Sequence, residues 1–237
     1  MTSVSFKRCI RNKICADPEL SKVHSLVLFG SYVRGDFVPE LSDLDLLVIF
    51  RSEPPDLNCL QEIVEGCVEG VGHKLLDLSW EKLEYLPDPM NMGYGFKFPT
   101  MYLQDFLENH EVIYGEEIAD LLPRYNMNEL VGWRAERLSK LLDGFKDRPD
   151  LTPVLAGEVC RLMAIVNGSE DISKRAILDK LKAIGDERAI EIYDSYVKGV
   201  KPDKGQDYFT EFIESRIRII ESKSSQRRLH ENTGSTS

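Results

Sequence analysis

The stretch LFGSYVRGDFVPELSDLDLLVIF, residues 28–50, decides the fold of the first half of this chain. One apolar run ends at Gly30 and Ser31, and a second apolar run begins with Asp43 and Asp45. Because residues i and i+2 of a strand point to the same side, the two carboxylates are expected to share one face. A carboxylate without a partner is costly to remove from water, so we expect a cation to accompany this pair.

The segments around this stretch alternate between strand and helix patterns. Apolar runs bounded by turn residues are typical of buried strands, and apolar residues at three-to-four spacing are typical of helices. The predicted elements are a leading helix (5–15), three strands (24–30, 43–50 and 73–80) and a helix before the third strand (57–68). This order predicts an α/β (α+β) domain with a mixed sheet and helices packed on it.

The second half of the chain contains helical patterns only. About five segments have apolar residues at three-to-four spacing, and Asn128 and Ser173 are predicted to cap two of the helices. We therefore predict an α/β domain over residues 1–125 and an all-α helical bundle over residues 126–222. Residues 223–237 lack an apolar period and are predicted to form a flexible tail.

The charge of the chain is unevenly distributed. Of its 237 residues 42% are hydrophobic, and the formal net charge is −10. All of the excess acid lies in residues 1–125, which argues against duplex nucleic acid as a partner and favours a metal site or a cationic substrate. No stretch approaches about 18 uncharged apolar residues, so we expect no membrane partner, and the charged N-terminus favours a cytoplasmic location.

The five cysteines and four histidines show neither a disulfide pattern nor a metal-binding pattern. The cysteines are scattered, odd in number and never arranged as CxxC, so no disulfide framework and no zinc site are predicted. We expect them to be reduced, with Cys67 and Cys160 filling helix interiors. No histidine lies at ligand spacing from another histidine or from a cysteine, which argues against a transition-metal site.

A third aspartate interrupts the third predicted strand. If the second and third strands pair, Asp77 can reach the face shared by Asp43 and Asp45. Three carboxylates form a hard-oxygen ligand set suited to Mg²⁺. At Gly30 and Ser31, backbone N–H groups and the serine hydroxyl can hold phosphate oxygens. Such an arrangement is suited to nucleotidyl transfer, in which a hydroxyl attacks the α-phosphorus of a nucleoside triphosphate.

These motifs resemble the signature of the DNA polymerase β-type nucleotidyltransferase superfamily. The matching positions are Gly30-Ser31, Gly35 and Ser42-Asp43-Leu44-Asp45-Leu46, with a connecting loop one residue longer than is usual. By this resemblance Asp43 and Asp45 bind Mg²⁺. The same resemblance implies that Gly30, Ser31 and Ser42 contact the nucleoside triphosphate.

A second resemblance extends into the helical half. FLENHEVIYGEEIADLL (106–122) and GEVCRLMAIVNGSEDISKRAILDKL (157–181) are similar to stretches of the streptomycin/spectinomycin adenylyltransferases, in which a helical C-terminal domain closes the substrate cleft. The resemblance implies transfer of a nucleoside monophosphate, AMP from ATP, to a hydroxyl of a small-molecule acceptor such as an aminoglycoside, with release of pyrophosphate. It places the active site in a cleft between the two domains and implies that Asp179 contacts the acceptor.

The role of Asp77 has two alternatives, general base or third metal ligand only. The base in those drug-modifying enzymes is often glutamate, so Glu81 is the fallback, although its sequence context predicts the start of a solvated helix. The glycine-rich stretch 91–96 is interpreted as a lid or as a plain connection. Tyr94 and Trp133 are candidates for an aromatic platform under the acceptor, and Trp133 is alternatively a core residue.

The alternative function comes from a different class. An antitoxin-type nucleotidyltransferase AMPylates or binds a protein partner, and a protein partner remains possible for this chain. The toxin RNases of such pairs carry an arginine followed five to seven residues later by a histidine, and no histidine here is so placed. A nuclease within the same chain is therefore not expected.

Overall fold

The computed structural model describes residues 3–38, 42–54, 57–68, 76–87, 102–145, 151–200 and 204–234. They form two compact units, the first ending at Arg124 and the second beginning at Tyr125. This division lies next to the boundary predicted from the sequence between residues 125 and 126.

The described strands of the first unit form one mixed sheet, as predicted. They are β1 (Val23–Phe29), β2 (Leu44–Phe50), β3 (Leu76–Lys82) and β4 (His110–Gly115), arranged in the order β3-β2-β1-β4. Strand β1 is antiparallel to both β2 and β4, whereas β2 and β3 are parallel. The first three strands were predicted, and β4 was not, because only Ile113 of its six residues is buried and the strand lacks a continuous apolar run.

Helices α1 (Ser3–Ala16) and α3 (Leu57–Val68) cover one face of this sheet. Both place apolar residues three to four positions apart, so each presents one apolar stripe. The two stripes and the side chains of β1 and β2 on the same face form a common core, whose members include Phe6, Ile10, Leu28, Leu46, Val48, Phe50, Leu60 and Val64. This core holds β1 and β2 against the two helices.

The opposite face of the sheet carries Asp45 as well as apolar residues. Leu47 and Ile49 alternate with the core-facing side chains of β2 and are fully buried. Phe29 of β1 contacts Phe106 edge-on, with ring centroids 5.5 Å apart. Phe106 belongs to α4 (Tyr102–Glu108), so this helix packs beside the last residue of β1.

A disulfide between Cys9 of α1 and Cys67 of α3 joins the two helices, with 5.7 Å between their Cα atoms. The prediction that all cysteines are reduced is therefore wrong for this pair. Sequence spacing could not reveal it, because 58 residues separate the two cysteines and only the packing of α1 against α3 brings them together. Cys160 is a free, buried cysteine inside a helix, as predicted, and burial raises the pKa of its thiol.

The second unit contains the five helices predicted from the sequence. Within its described residues they are α5 (Met127–Phe145), α6 (Thr152–Val166), α7 (Lys174–Ile184), α8 (Glu187–Val197) and α9 (Gln206–Gly234). Helix α6 contacts each of the other four and is buried on most of its surface, so it forms the centre of this unit. None of the described helices is long and apolar enough to cross a membrane.

The caps of these helices agree with the prediction at one position and differ at another. Ser173 accepts a hydrogen bond from the backbone N–H of Ala176 at the start of α7, as predicted. Helix α5 begins at Met127, so Asn128 lies inside it. The Asn126 side chain accepts from the backbone N–H of Asn128 at 2.8 Å and supplies the cap instead.

The segment predicted as a flexible tail has a helical backbone through Gly234, because α9 continues to that residue. Residues 223–234 lack an apolar stripe but contain Lys, Gln, Arg, Leu and Glu, which favour helix formation. Extending an existing helix is also far easier than starting a new one. An apolar period was therefore too strict a criterion for predicting where α9 ends.

Candidate active site

The turn between β1 and α2 (Ser31–Arg34) lies directly against a carboxylate of β2. Gly30 has a φ of 72° and a ψ of −151°, a region that is essentially restricted to glycine. A Cβ atom at Gly30 would lie 2.2 Å from Oδ2 of Asp45. The glycine is thus required for two reasons, its backbone conformation and the closeness of the Asp45 side chain.

The backbone of α2 closes immediately after this turn. The N–H of Arg34 donates to the Gly30 carbonyl at 3.0 Å, and the N–H of Gly35 donates to the Ser31 carbonyl at 3.1 Å. The first N–H groups of a helix have no intrahelical acceptor, so those of this turn can bind an anion. Helix α2 is a single turn of four residues, so the hydrogen-bond donors that it can offer to an anion are these N–H groups and the Ser31 hydroxyl.

The parallel pairing of β2 and β3 places two of the predicted aspartates side by side. Asp45 and Asp77 are partners in register, so both side chains lie on the same face. Both are half-buried, and the Ser79 hydroxyl donates to Oδ1 of Asp77 at 3.4 Å. Asp43 precedes the first residue of β2 and is exposed.

The structure does not gather all three aspartates into a closed metal-binding cluster. Among the residues that the structure describes, no group of three or more His, Cys, Asp or Glu side chains is placed so as to hold a metal ion. The donor chemistry nevertheless fits Mg²⁺, because Asp45 and Asp77 supply hard oxygen ligands on one face and Asp43 lies two residues before Asp45.

Ser42 bonds to the backbone of the loop that precedes β2. Its hydroxyl accepts from the N–H of Val38 at 3.0 Å, and its own N–H donates to the Val38 carbonyl at 2.9 Å. Ser42 therefore closes this loop immediately before Asp43. The prediction that Ser42 contacts the triphosphate did not include this structural role.

Glu81 belongs to β3, and the predicted helix at this position is wrong. Pairing of Glu81 with Ile49 continues the parallel ladder to Lys82, so sheet pairing overrides the local helical pattern. Glu81 is buried, which raises the pKa of its carboxyl. At about 3.3 Å per residue it lies about 13 Å along the strand from Asp77, so it does not substitute for Asp77 at the beginning of β2 and β3.

A buried ion cluster that was not predicted from the sequence lies next to the Gly30 turn. Arg34 is 3.0 Å from a carboxylate oxygen of Asp36 and donates a hydrogen bond to Asp105 of α4. Burial raises the pKa of the Asp105 carboxyl, and the Arg34 guanidinium acts in the opposite direction. The sequence signal for this cluster was Asp105, an aspartate on the buried side of an amphipathic helix, where charged residues are rare unless they are paired.

Two of the remaining predicted residues, Asp179 and Trp133, belong to the second unit. Asp179 is exposed on α7, in the second unit, 3.8 Å from Arg175 one turn earlier. Trp133 packs edge-on against Tyr125, with ring centroids 5.0 Å apart, consistent with a packing role. The stretch 91–96, including Tyr94, lies outside the described residues.

Comparison with known proteins identifies a domain family and a similar fold. Residues 10–127 match the family model described as "Nucleotidyltransferase domain". Among solved structures, the chain is similar to the spectinomycin adenyltransferase AAD(9) from Enterococcus faecialis with ATP and spectinomycin, with a TM-score of 0.56 and 18% sequence identity. The similarity covers 90% of this chain and 98% of that chain. None of the curated proteins is similar enough to count as a match. The chain thus contains a nucleotidyltransferase domain, matched over residues 10–127, and this domain includes the Gly30 turn, Asp45 and Asp77.

Proposed function

We propose that this chain is a Mg²⁺-dependent nucleotidyltransferase that transfers AMP from ATP to a hydroxyl of a small-molecule acceptor. The observation that carries the proposal is the contact between the Gly30 turn and Asp45, together with the register pairing of Asp45 and Asp77. This arrangement puts a turn able to bind phosphate beside carboxylates able to bind a cation. Both are needed where a triphosphate is bound and cleaved.

Each residue has a defined part in this reaction. The N–H groups of the Gly30 turn and the Ser31 hydroxyl bind phosphate oxygens, and Ser42 keeps the preceding loop closed. Asp43 and Asp45 would hold Mg²⁺, which would neutralise negative charge on the phosphates when bound. The acceptor oxygen forms a bond to the α-phosphorus, the bond from that phosphorus to the β-phosphate oxygen breaks, and pyrophosphate leaves.

Asp77 is proposed to take the proton of the acceptor hydroxyl. Its side chain lies on the same face as Asp45, and an aspartate there can act as general base or as a third metal ligand. The two roles make different predictions about nucleotide affinity, which is why the substitution at this position is informative.

Asp77→Asn is expected to lower turnover by about 10²–10⁴-fold while changing the affinity for ATP by less than about threefold, because losing a general base affects the chemical step. Turnover is measured by pyrophosphate release and affinity by calorimetric titration with ATP and Mg²⁺. The exposed residue Asp120 provides a control in the same unit, since Asp120→Asn removes the same charge from the surface. A parallel loss of ATP affinity would assign Asp77 to the metal alone.

We propose that the acceptor belongs to the aminoglycoside class. The excess acid of residues 1–125 attracts polycations over long distances, and the fold is that of an enzyme whose structure was determined with spectinomycin. Asp179 is proposed to contact the acceptor. The ion pair of Asp179 with Arg175 is exposed and contributes little stability. Replacing Arg175 by an amino group of a ligand as the partner of Asp179 therefore costs little free energy.

Asp179→Ala is expected to raise KM for the acceptor by about tenfold and to leave KM for ATP within about twofold, because one charge-assisted hydrogen bond is lost. Raising the salt concentration toward about 0.5 M should also raise the acceptor KM through screening. Initial rates at varied acceptor and salt concentrations measure both effects. Glu170→Ala, which removes another exposed acid of the second unit, is the control. An acceptor KM that ignores both changes would exclude this contact.

The reaction itself is tested by incubating the protein with labelled nucleoside triphosphates, Mg²⁺ and a panel of aminoglycosides, followed by mass spectrometry of small molecules and protein. We expect an aminoglycoside to gain one AMP group and pyrophosphate to appear in equal amount. AMP on a polypeptide would instead favour the antitoxin-type function. The absence of both products with every nucleotide would overturn the proposal.

A further inference from the structure

We propose that Arg34 and Asp105 are positioning residues that hold the Gly30 turn in the conformation that binds the phosphates of ATP. The inference rests on the proposed function and adds to it a pair of residues that lies behind the turn. It concerns how the turn is oriented and assigns neither residue a contact with the nucleotide.

Arg34 is connected to the turn through its backbone. It is the last residue of α2, and its N–H donates to the Gly30 carbonyl at 3.0 Å. A shift of Arg34 would therefore move the carbonyl of Gly30 and the N–H groups that follow it. The side chain of Arg34 leaves α2 in the direction of α4, where it meets Asp105.

The contact at the far end of Arg34 is well buried. The side chain of Arg34 is 12% exposed and that of Asp105 only 3% exposed. Nη1 donates to Oδ2 of Asp105, and Nη2 lies 3.0 Å from Oδ1 of Asp36, which directly follows the turn. The planar guanidinium thus meets two carboxylates at once, which restricts its orientation more than a single contact would.

Asp105 is itself held in place from both sides. The Asn109 side chain donates to Oδ1 of Asp105 at 3.1 Å, one helical turn further on. The next residue, Phe106, packs against Phe29, the residue that precedes Gly30. Helix α4 is therefore anchored on the sheet at the point where the turn begins, and Asp105 provides a fixed acceptor for Arg34.

A buried ion pair is a poor source of net stability, because removing both charges from water opposes their attraction. Its directional hydrogen bonds, in contrast, fix geometry. Arg34 is the residue whose N–H closes α2 on the Gly30 carbonyl, so the orientation of the phosphate-binding turn is the property that this pair controls.

The test compares Asp105→Asn with wild-type protein in two measurements. The first is calorimetric titration with ATP and Mg²⁺, and the second is amide hydrogen exchange followed by NMR. Asparagine keeps the size of the side chain and an acceptor oxygen but removes the charge. We expect ATP affinity to fall about tenfold and the amides of Arg34 and Gly35, which close the turn, to exchange about tenfold faster. Amides in the middle of β2 should exchange at the wild-type rate.

Two further variants complete the test. Arg34→Lys keeps the positive charge but replaces the planar fork by a single ammonium, so we expect the same direction of change, and this variant decides the question if Asp105→Asn does not fold. Asp186→Asn is the control, because Asp186 forms a two-bond ion pair with Arg216 in the second unit, with a side chain 11% exposed. We expect it to leave ATP affinity and the exchange of the turn amides within about twofold of wild type.

The outcomes are distinct. Wild-type ATP affinity in Asp105→Asn and Arg34→Lys overturns this inference and leaves the proposed function intact. Faster exchange of all amides together, including those of β2, shows that the pair only stabilises the fold and also overturns it. A wild-type protein that binds no ATP overturns the inference and the proposed function together.

Discussion

Gly30→Ala is expected to lower nucleotidyl transfer by at least about a hundredfold, because a small displacement of a substrate-binding turn is costly for the reaction. The new Cβ would lie 2.2 Å from Oδ2 and 2.9 Å from Cγ of Asp45, so either the turn or the carboxylate has to move. The backbone conformation of Gly30 adds about 1–3 kcal/mol of strain for any other residue. Pyrophosphate release and ATP titration measure the loss of function, and denaturant unfolding measures the loss of stability.

Gly35→Ala is the matched control for this substitution. Gly35 also has a positive φ, 84°, but a Cβ there would meet no atom within 4 Å. The substitution therefore introduces backbone strain of about 1–2 kcal/mol without a clash. We expect Gly35→Ala to lose stability while keeping most of its ATP affinity. Equal losses of ATP affinity in the two variants would show that strain alone, and not the contact with Asp45, makes Gly30 necessary.

Asp45→Asn is expected to reduce transfer by about a thousandfold or more, because it removes the charge of a proposed Mg²⁺ ligand while keeping the size of the side chain. The fold should be unchanged or slightly more stable. Asp45 and Asp77 are direct partners on adjacent strands, and like charges in such positions repel each other. Pyrophosphate release with ATP and Mg²⁺ measures the first effect, and thermal unfolding of the free protein measures the second.

The control for Asp45→Asn is Asp120→Asn, which removes an exposed carboxylate of the same unit. It should leave activity and unfolding temperature close to wild-type values, since isolated surface charges contribute little. Loss of folded structure in Asp45→Asn would mean that this carboxylate is structural. Retention of activity would remove Asp45 from the proposed site.

Mg²⁺ binding can be observed without turnover. In wild-type protein, ATP and Mg²⁺ together should raise the unfolding temperature, since a ligand that binds only the folded state stabilises it. The Asp45→Asn variant should lose most of this shift, because the metal-bound nucleotide loses a ligand. This comparison separates a binding defect from a defect in the chemical step.

Local sequence was sufficient to predict the strands β1 and β2, the helix α3 and the helical second unit. Each of these elements has its own apolar pattern, and a pattern depends only on neighbouring residues. The glycine-serine turn and the two aspartates of residues 42–46 were recognised for the same reason, since their spacing along the chain is short. The Asn128 cap, the end of α9 and Glu81 were mispredicted where propensity or a neighbouring element decided the outcome.

Only the tertiary structure determined which segments of the chain contact each other. The parallel register that pairs Asp45 with Asp77 and the contact of Gly30 with Asp45 both depend on how strands distant in sequence align. The same holds for the disulfide between Cys9 and Cys67 and for the pairing of Arg34 with Asp105, which are 71 residues apart. A pattern within one segment shows which face of that segment is buried, whereas the choice of partner depends on packing between segments. The candidate site was therefore predictable in its residue types, and its geometry followed only from the fold.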